Sequence, residues 1–137
     1  MKRGVVHLLK QRGIQPSAQR VAVAAYVLFT ARHPTAEAVC SAVREGFPML
    51  SRATVYNTLH LFVAKGLLRE LTLDEGRVVF DSNVSKHHHF IDERSGRIFD
   101  VPWEALDVNR VELLQGFRVH DYQVVLRGRK TGPSRAR

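Results

Sequence analysis

The spacing of apolar residues changes after Gly66, and this change constrains the fold more than any other feature of the chain. Before it, apolar residues recur at helical spacing in residues 3–12, 18–32, 36–44 and 52–65. After it, residues 67–73 and 77–81 are typical of two strands joined by an Asp-Glu-Gly turn. Helices that end in a hairpin predict a winged helix-turn-helix, in which the third and fourth helices form the DNA-binding pair.

Residues that cap and stop helices support these boundaries. Ser17, Thr35 and Ser51 each precede a helical pattern, where a hydroxyl side chain can accept a free backbone N–H. Gly13 and Gly66 follow helical patterns and favour the left-handed backbone that ends a helix.

The remaining chain predicts a second, smaller domain. Its expected elements are strands at 87–92 and 97–101, a helix at 103–114 and a strand at 117–126. About 40 residues are near the lower limit for independent folding, so we expect this domain to pair with a second copy. The predicted fold is α+β: a winged-helix DNA-binding domain (1–81), a hinge (82–86), a small α/β dimerisation and metal-sensing domain (87–127), and a disordered basic tail (128–137).

Net charge indicates which part of the chain meets nucleic acid. The formal net charge is +8, and residues 1–85 hold 11 basic against 6 acidic residues. Five of the ten basic residues in the second part lie in the last eleven positions. The basic character of the folded part is therefore concentrated in the N-terminal domain, which suits a polyanionic partner.

Cysteine content and hydropathy indicate the compartment. Cys40 is the only cysteine, which excludes an intramolecular disulfide and a multi-cysteine zinc site. The first residues lack the apolar core of a signal peptide, and the longest apolar stretch, residues 21–29, is too short to span a membrane. We expect a cytoplasmic protein without a membrane partner.

The N-terminal end of the fourth helix predicts DNA contacts. Val55, Leu59 and Phe62 should face the core, which leaves the polar side chains of the first turns toward solvent. Arginine suits guanine and asparagine suits adenine, whereas threonine and tyrosine suit phosphate or the thymine methyl group. Arg12, at the end of the first helix, and Arg20, on the second, are candidate phosphate contacts. The candidate DNA-binding residues are Arg12, Arg20, Ser51, Arg52, Thr54, Tyr56 and Asn57.

A run of three histidines predicts a metal site. If the run is a strand, His87 and His89 share one face and His88 points away. Imidazole and carboxylate donors without thiolate favour ferrous iron or manganese, with zinc or nickel possible. A metal held by both domains would fix the spacing of two DNA-binding domains in a dimer. The candidate ligands are His33, Asp81, His87, His89 and Asp100.

Five motifs in this order resemble the ferric uptake regulator (Fur) superfamily of metal-dependent repressors, from about Leu8 to Arg129. They are Ser-Ala-Gln-Arg (17–20), His-Pro-Thr-Ala-Glu (33–37), Ser-Arg-Ala-Thr-Val-Tyr-Asn-Thr-Leu (51–59), Phe-Asp-Ser-Asn-Val (80–84) and the histidine triplet. Within the superfamily the chain looks most like the peroxide-sensing (PerR) branch, whose regulatory metal is held by three histidines and two aspartates.

The resemblance implies a function. It implies a homodimeric repressor of operator DNA, not an enzyme, with Fe²⁺ or Mn²⁺ as corepressor and Zn²⁺ possible in purified protein. In the peroxide-sensing branch, ferrous iron reacts with hydrogen peroxide, a liganding histidine is oxidised, and DNA is released. By this resemblance His33 and His87 are the oxidation candidates. Aspartate rather than glutamate at position 100 also resembles the peroxide sensors.

The chain departs from the family at its structural zinc site, which uses two Cys-x-x-Cys pairs. Asp92 and Ser95 replace the first pair, and residues 127–130 replace the second, so we expect no structural zinc. The dimer must then hold by packing of Ile98, Phe99, Trp103, Leu106 and Phe117. A further metal site of some members falls here on Lys86, His88, Asp107 and Tyr122, with His120 nearby, and a lysine would repel a cation.

Three alternatives remain open. In lacking the cysteine site and having the histidine triplet, the chain also resembles the haem-responsive (Irr-like) branch. An iron- or haem-status regulator is therefore the alternative hypothesis. A small iron oxygenase could use two histidines and a carboxylate, but five protein ligands leave little room for substrate and oxygen. A metal-storage or chaperone protein would not explain the helix-turn-helix.

Overall fold

Hydroxyl side chains begin three helices of the first part of the chain, as the sequence predicts. In a computed structural model that describes residues 2–132, Ser17, Thr35 and Ser51 each accept a backbone N–H three residues ahead. Gly13 and Gly66 adopt φ values of 72° and 78°, which is the left-handed stop expected of glycine.

The first of two compact units extends to Val84 and the second begins at Ser85. The first unit contains the helices α1 (Lys2–Gln11), α2 (Ala18–Ala25), α3 (Ala36–Val43) and α4 (Arg52–Ala64). A π-helical turn, Tyr26–Thr30, extends α2. The antiparallel hairpin that follows consists of β1 (Arg69–Thr72) and β2 (Val78–Asp81).

The core of the first unit is formed by one face of each helix. Val55, Leu59 and Phe62 are fully buried, which confirms the face of α4 that the sequence predicts. They belong to one apolar cluster with residues of the other helices and of the wing, among them Val5, Leu9, Val23, Val27, Val39 and Phe80. Helix-turn-helix and hairpin therefore form one winged-helix body, and the predicted α+β fold class is confirmed.

The second unit is built on a three-stranded sheet. β3 (His87–Asp92) is central, with β4 (Ile98–Pro102) antiparallel on one side and β5 (Val125–Gly128) parallel on the other. The β3–β4 register places Asp100 directly opposite His89. A strand at 87–92 paired with the next strand is what the sequence predicts.

The prediction of a helix at 103–114 is wrong. The structure has two 3₁₀ turns there, Trp103–Ala105 and Val111–Leu113, and between them Arg110 has a left-handed φ of 75°. Asp107 and Asn109 favour turns over helix interiors because their side chains compete for backbone groups. Leu113 and Leu114 are exposed, so within this unit no packed face stabilises a helix.

The last predicted strand and the tail are displaced along the chain. The strand expected at 117–126 forms only over Val125–Gly128, because that segment alone aligns with β3. The basic tail was expected from residue 128, yet Gly128 is in a strand and the backbone N–H of Lys130 bonds Asp92. Residues 133–137 of that tail lie outside the described residues. Among the described helices, none combines the length and apolar character needed to cross a membrane.

Candidate metal centre and nucleic-acid interface

A histidine and an aspartate form a buried pair in the first unit. His33 lies in the loop before Pro34, and Asp81 ends β2; the N–H of Phe80 bonds the Pro34 carbonyl at 2.9 Å and so fastens the loop to the strand. His33 Nε2 is 3.4 Å from Asp81 Oδ2, and both side chains are almost fully buried. His33 has a φ of 49°, an uncommon backbone conformation that is often found at functional sites.

The second unit places two histidines and an aspartate together. Strand parity turns His87 and His89 to one face of β3, where their ring centroids are 4.5 Å apart. Asp100 Oδ1, from β4, is 3.5 Å from His87 Nε2 and 3.9 Å from His89 Nε2. Both histidines are buried and Asp100 is partly exposed.

Hydrogen bonds orient both imidazoles. His87 Nδ1 lies 2.7 Å from the Ser85 carbonyl oxygen, and His89 Nδ1 lies 2.8 Å from Gln123 Oε1. Since a carbonyl oxygen accepts, each Nδ1 carries a proton, and Nε2 is the ring nitrogen that faces Asp100. This is the arrangement that metal-binding histidines use, with the second nitrogen fixing the tautomer. Ser85 and Gln123 were not foreseen, and 34 residues separate Gln123 from His89.

The chemistry of these donors fits a divalent transition metal. Within each unit, imidazole nitrogens and carboxylate oxygens approach one another in a largely buried environment. Both groups are ordinary ligands of divalent metals. Nitrogen and oxygen donors without sulfur fit Fe²⁺, Mn²⁺ or Zn²⁺. The two groups of residues, His33 with Asp81 and His87 with His89 and Asp100, are called the first and second half-sites below.

His88 has a different role from its neighbours. It is fully buried, its ring stacks on Trp103 at 4.6 Å, and its Nδ1 accepts the N–H of Val124 at 2.9 Å. Burial, and then the nearby His89 and His87, lower the pKa of His88 and favour the neutral ring. The Nδ1 lone pair is therefore used by the backbone rather than by a metal.

The residues that stand at the further metal site of some family members include a lysine. Lys86, His120 and Tyr122 line one open pocket of about 480 Å³ in the second unit, and Lys86 Nζ lies 5.3 Å from the Trp103 ring centroid. A lysine in that position disfavours a bound cation.

Asp92 and Ser95, which stand where the family has cysteines, are joined by a hydrogen bond. Ser95 Oγ donates to Asp92 Oδ2 at 2.7 Å, and the backbone N–H groups of Arg94 and Lys130 approach Asp92 Oδ1. The Ser95 hydrogen bond is the main reason that the pKa of Asp92 is lowered. The N–H of Glu93 also bonds the Gly128 carbonyl, so hydrogen bonds hold the end of β5 to the end of β3.

The first turns of α4 carry the polar residues that were predicted to contact DNA. Arg52 and Asn57 are exposed, whereas Thr54 and Tyr56 are partly buried. Ser51 caps the helix, and its hydroxyl also lies 2.8 Å from Thr54 Oγ1. Asn57 and Thr54 line an open groove of about 500 Å³ together with Ser17, Gln19 and Arg20 of the α2 end.

Two arginines that were predicted to contact phosphates make intramolecular bonds. Arg12 Nη1 donates to the carbonyls of Lys65 and Gly66 at 3.1 and 3.0 Å, where it satisfies the C-terminal end of α4. Arg20 Nη1 donates to the Gln15 carbonyl at 2.9 Å while its side chain stays at the groove described above. Arg12 therefore caps the C-terminal end of α4, a role that its position in the sequence does not indicate.

Comparisons with known proteins agree with the motifs. Residues 11–127 match the model of the "Ferric uptake regulator family". The chain is 37% identical over 124 residues to the "Peroxide operon regulator" of Bacillus subtilis (strain 168), covering 88% of this chain and 84% of that protein. It is 38% identical over 106 residues to the "Peroxide-responsive repressor PerR" of Staphylococcus aureus (strain Mu50 / ATCC 700699), covering 77% and 70%.

A solved structure shares the architecture. The ferric uptake regulator from Pseudomonas aeruginosa with manganese superposes with a TM-score of 0.66 at 27% identity, covering 92% of this chain and 97% of that one.

Proposed function

Because the chain belongs to the ferric uptake regulator family, we propose that it is a homodimeric, metal-dependent transcriptional repressor of double-stranded operator DNA. Proteins of this family are DNA-binding regulators rather than enzymes. The basic winged-helix unit, with the exposed first turn of α4, supports the DNA-binding part of the proposal.

The second half-site is the observation that carries the metal-dependent part. His87 and His89 are buried, their Nδ1 atoms are bonded to carbonyl oxygens, and their Nε2 atoms face the Asp100 carboxylate. A partly exposed carboxylate beside two buried imidazoles is stabilised by a bound cation. We propose that both half-sites, His33, Asp81, His87, His89 and Asp100, supply ligands to one Fe²⁺ or Mn²⁺ ion.

Such a metal would control DNA affinity through the linker between the units. Residues 82–86 connect the first half-site to the second, so an ion bound by both restricts the position of the DNA-binding unit. In a dimer this restriction fixes the spacing of two recognition helices, and metal affinity becomes coupled to operator affinity.

Peroxide is the proposed inducer. Relatives that share 37–38% of their aligned residues with this chain are named for their response to peroxide. The five residues would hold ferrous iron, which would activate hydrogen peroxide for attack on a neighbouring imidazole. In the overall reaction one H2O2 would transfer one oxygen to a ring carbon and leave as one water, and the ring would supply the two electrons. His33 and His87 are the proposed targets. An oxidised imidazole no longer offers the same lone pair to the metal. The half-site then lacks a ligand, and the repressor releases the operator DNA.

Operator binding before and after a brief, low dose of peroxide tests this proposal. Ferrous and manganese-loaded protein would be titrated with DNA from the promoter region of the protein's own gene. Mass spectrometry would then measure the masses of the peptides that contain the candidate histidines. We expect the ferrous form alone to release DNA and to gain one oxygen on His33 or His87. A His87→Ala variant should lose metal-dependent operator binding, whereas the exposed-histidine control His60→Ala should behave as the original chain.

Two results would contradict the proposal. If both metal forms keep binding the operator after peroxide, and DNA is released only by adding haem or by removing the metal, the protein is an iron- or haem-status regulator. If DNA binding is the same with and without metal, the five residues do not act as a corepressor site.

A further inference from the structure

Arg52 occupies a position that helix energetics disfavours. It is the first residue of α4, and the first turn of this helix contains no acidic residue. The N-terminal end of a helix carries a partial positive charge, so a cation there is unfavourable. The side chain is 61% exposed, so it contributes little to the packing of the core. Helix stability therefore does not account for an arginine at this position.

Glu37 holds the Arg52 guanidinium from the neighbouring helix. Glu37 lies in the first turn of α3, and its Oε2 is 2.7 Å from Arg52 Nη1. The Glu37 side chain is 54% exposed, so the pair is a surface ion pair and contributes little to folding stability. Its main physical effect is on the direction in which the guanidinium points.

An oriented guanidinium is what base recognition needs. Arginine recognises guanine with two parallel N–H donors, and its planar fork loses less freedom on binding when it is already held in place. Glu37 contacts Nη1, and the guanidinium has further N–H donors on Nε and Nη2 with which it can contact a base. The Glu37 carboxylate also repels nearby phosphates, which disfavours poses that bring the phosphate backbone close to Glu37.

We propose that Glu37 is a positioning residue for sequence recognition, which directs Arg52 toward a guanine edge in the major groove. This inference rests on the proposed function, since it assumes that α4 reads DNA. It assigns a specificity role to the α3–α4 contact, and it makes Glu37 a residue that acts through Arg52 without touching a base.

Selection from a library of random-sequence DNA duplexes tests the inference. The manganese-loaded chain would be compared with Glu37→Gln, Arg52→Ala, Arg52→Lys and the double variant Glu37→Gln/Arg52→Ala. The control Glu45→Gln removes the same charge from an exposed glutamate just after α3. The readout is the protein's preference for each base at each position of the selected DNA. A simple loss of charge changes the affinity for all sequences by the same factor, so it leaves this preference unchanged.

We expect Glu37→Gln to lose at least about tenfold in discrimination at one base pair per half-operator. Arg52→Ala and Arg52→Lys should lose discrimination at the same base pair. The double variant Glu37→Gln/Arg52→Ala should discriminate no worse than Arg52→Ala alone. Glu45→Gln should keep the original preference.

The inference is overturned if Glu37→Gln keeps that preference, or if it has the same effect with and without Arg52. If the original chain selects no sequence at all, the proposed function fails and this inference fails with it. If the original chain selects a motif that Glu37→Gln also selects with equal discrimination, the proposed function stands and only this inference fails.

Discussion

At the scale of single residues, the second half-site depends on side chains that orient its ligands. His89 is completely buried and its Nδ1–H is bonded to Gln123 Oε1. Without that partner the ring can rotate or change its tautomer, and Nε2 no longer faces Asp100.

Gln123→Leu is therefore expected to lower Mn²⁺ affinity by roughly tenfold, since this is the lower end of what orienting partners contribute. Isothermal titration of metal-free protein with Mn²⁺ would measure the change. Gln115→Leu, at an exposed position of the same unit, is the matched control. Equal affinities for the two variants would show that Gln123 does not orient the site.

At the scale of secondary-structure elements, the C-terminal end of α4 depends on Arg12. Its guanidinium bonds two carbonyls that the helix itself leaves free, those of Lys65 and Gly66. The contact connects the end of α1 with the end of α4.

We expect Arg12→Ala to lower the free energy of unfolding by about 1 kcal/mol, because a solvent-accessible hydrogen-bonded cap is lost. Urea unfolding would measure this, with the exposed Lys10→Ala as control. The salt dependence of DNA binding should stay the same. A slope of log K against log salt that falls by about one would instead make Arg12 a phosphate contact.

In the sheet of the second unit, Asp92 helps to hold the end of β5 to the end of β3. The hydrogen bond from Ser95 lowers the pKa of Asp92 below its ordinary value of 3.8, so the carboxylate form is favoured by folding. Its contribution is complete above that ordinary value and is lost as the pH falls through the lower pKa of the folded protein.

Asp92→Asn should therefore lower the Tm by several degrees at neutral pH, and the difference from the original chain should shrink as the pH falls below about 4. Thermal unfolding followed by circular dichroism from neutral pH to pH 2 measures this difference. Asp107→Asn, an exposed aspartate of the same unit, is the control. A gap between the original chain and Asp92→Asn that does not change with pH would contradict the assignment.

At the scale of the whole molecule, the second unit exposes apolar side chains that a single copy does not cover. Leu113, Leu114, Phe117 and Val119 are all exposed, Phe117 by 75%. Phe99, which was expected to hold the dimer, is instead buried within its own unit. A unit of this size with such a surface suits association between copies.

Phe117→Ser should raise the dimer dissociation constant at least about tenfold, because a large aromatic side chain would leave an apolar interface. Sedimentation equilibrium measures this constant, and operator binding should weaken in parallel. Phe29→Ser removes an exposed phenylalanine from the first unit and should leave association unchanged. An unchanged dimer in Phe117→Ser would place the interface elsewhere.

The sequence alone determined the elements whose signals are local. Ser17, Thr35 and Ser51 cap helices through bonds that span three residues, and strand parity separates His88 from its neighbours. The winged-helix arrangement and the register that sets Asp100 against His89 follow from short-range spacing and a tight turn. These features need only near neighbours along the chain, which is why the sequence predicts them.

Only the tertiary structure decided what depends on distant partners. Gln123 reaches His89 across 34 residues, Arg12 reaches Lys65 across 53, and β5 begins where it can pair with β3. The segment predicted as a helix at 103–114 forms two short turns because helices of this length are stabilised by packing rather than by propensity. Contacts of this kind are set by the positions of other elements, and no pattern local to the segment contains them.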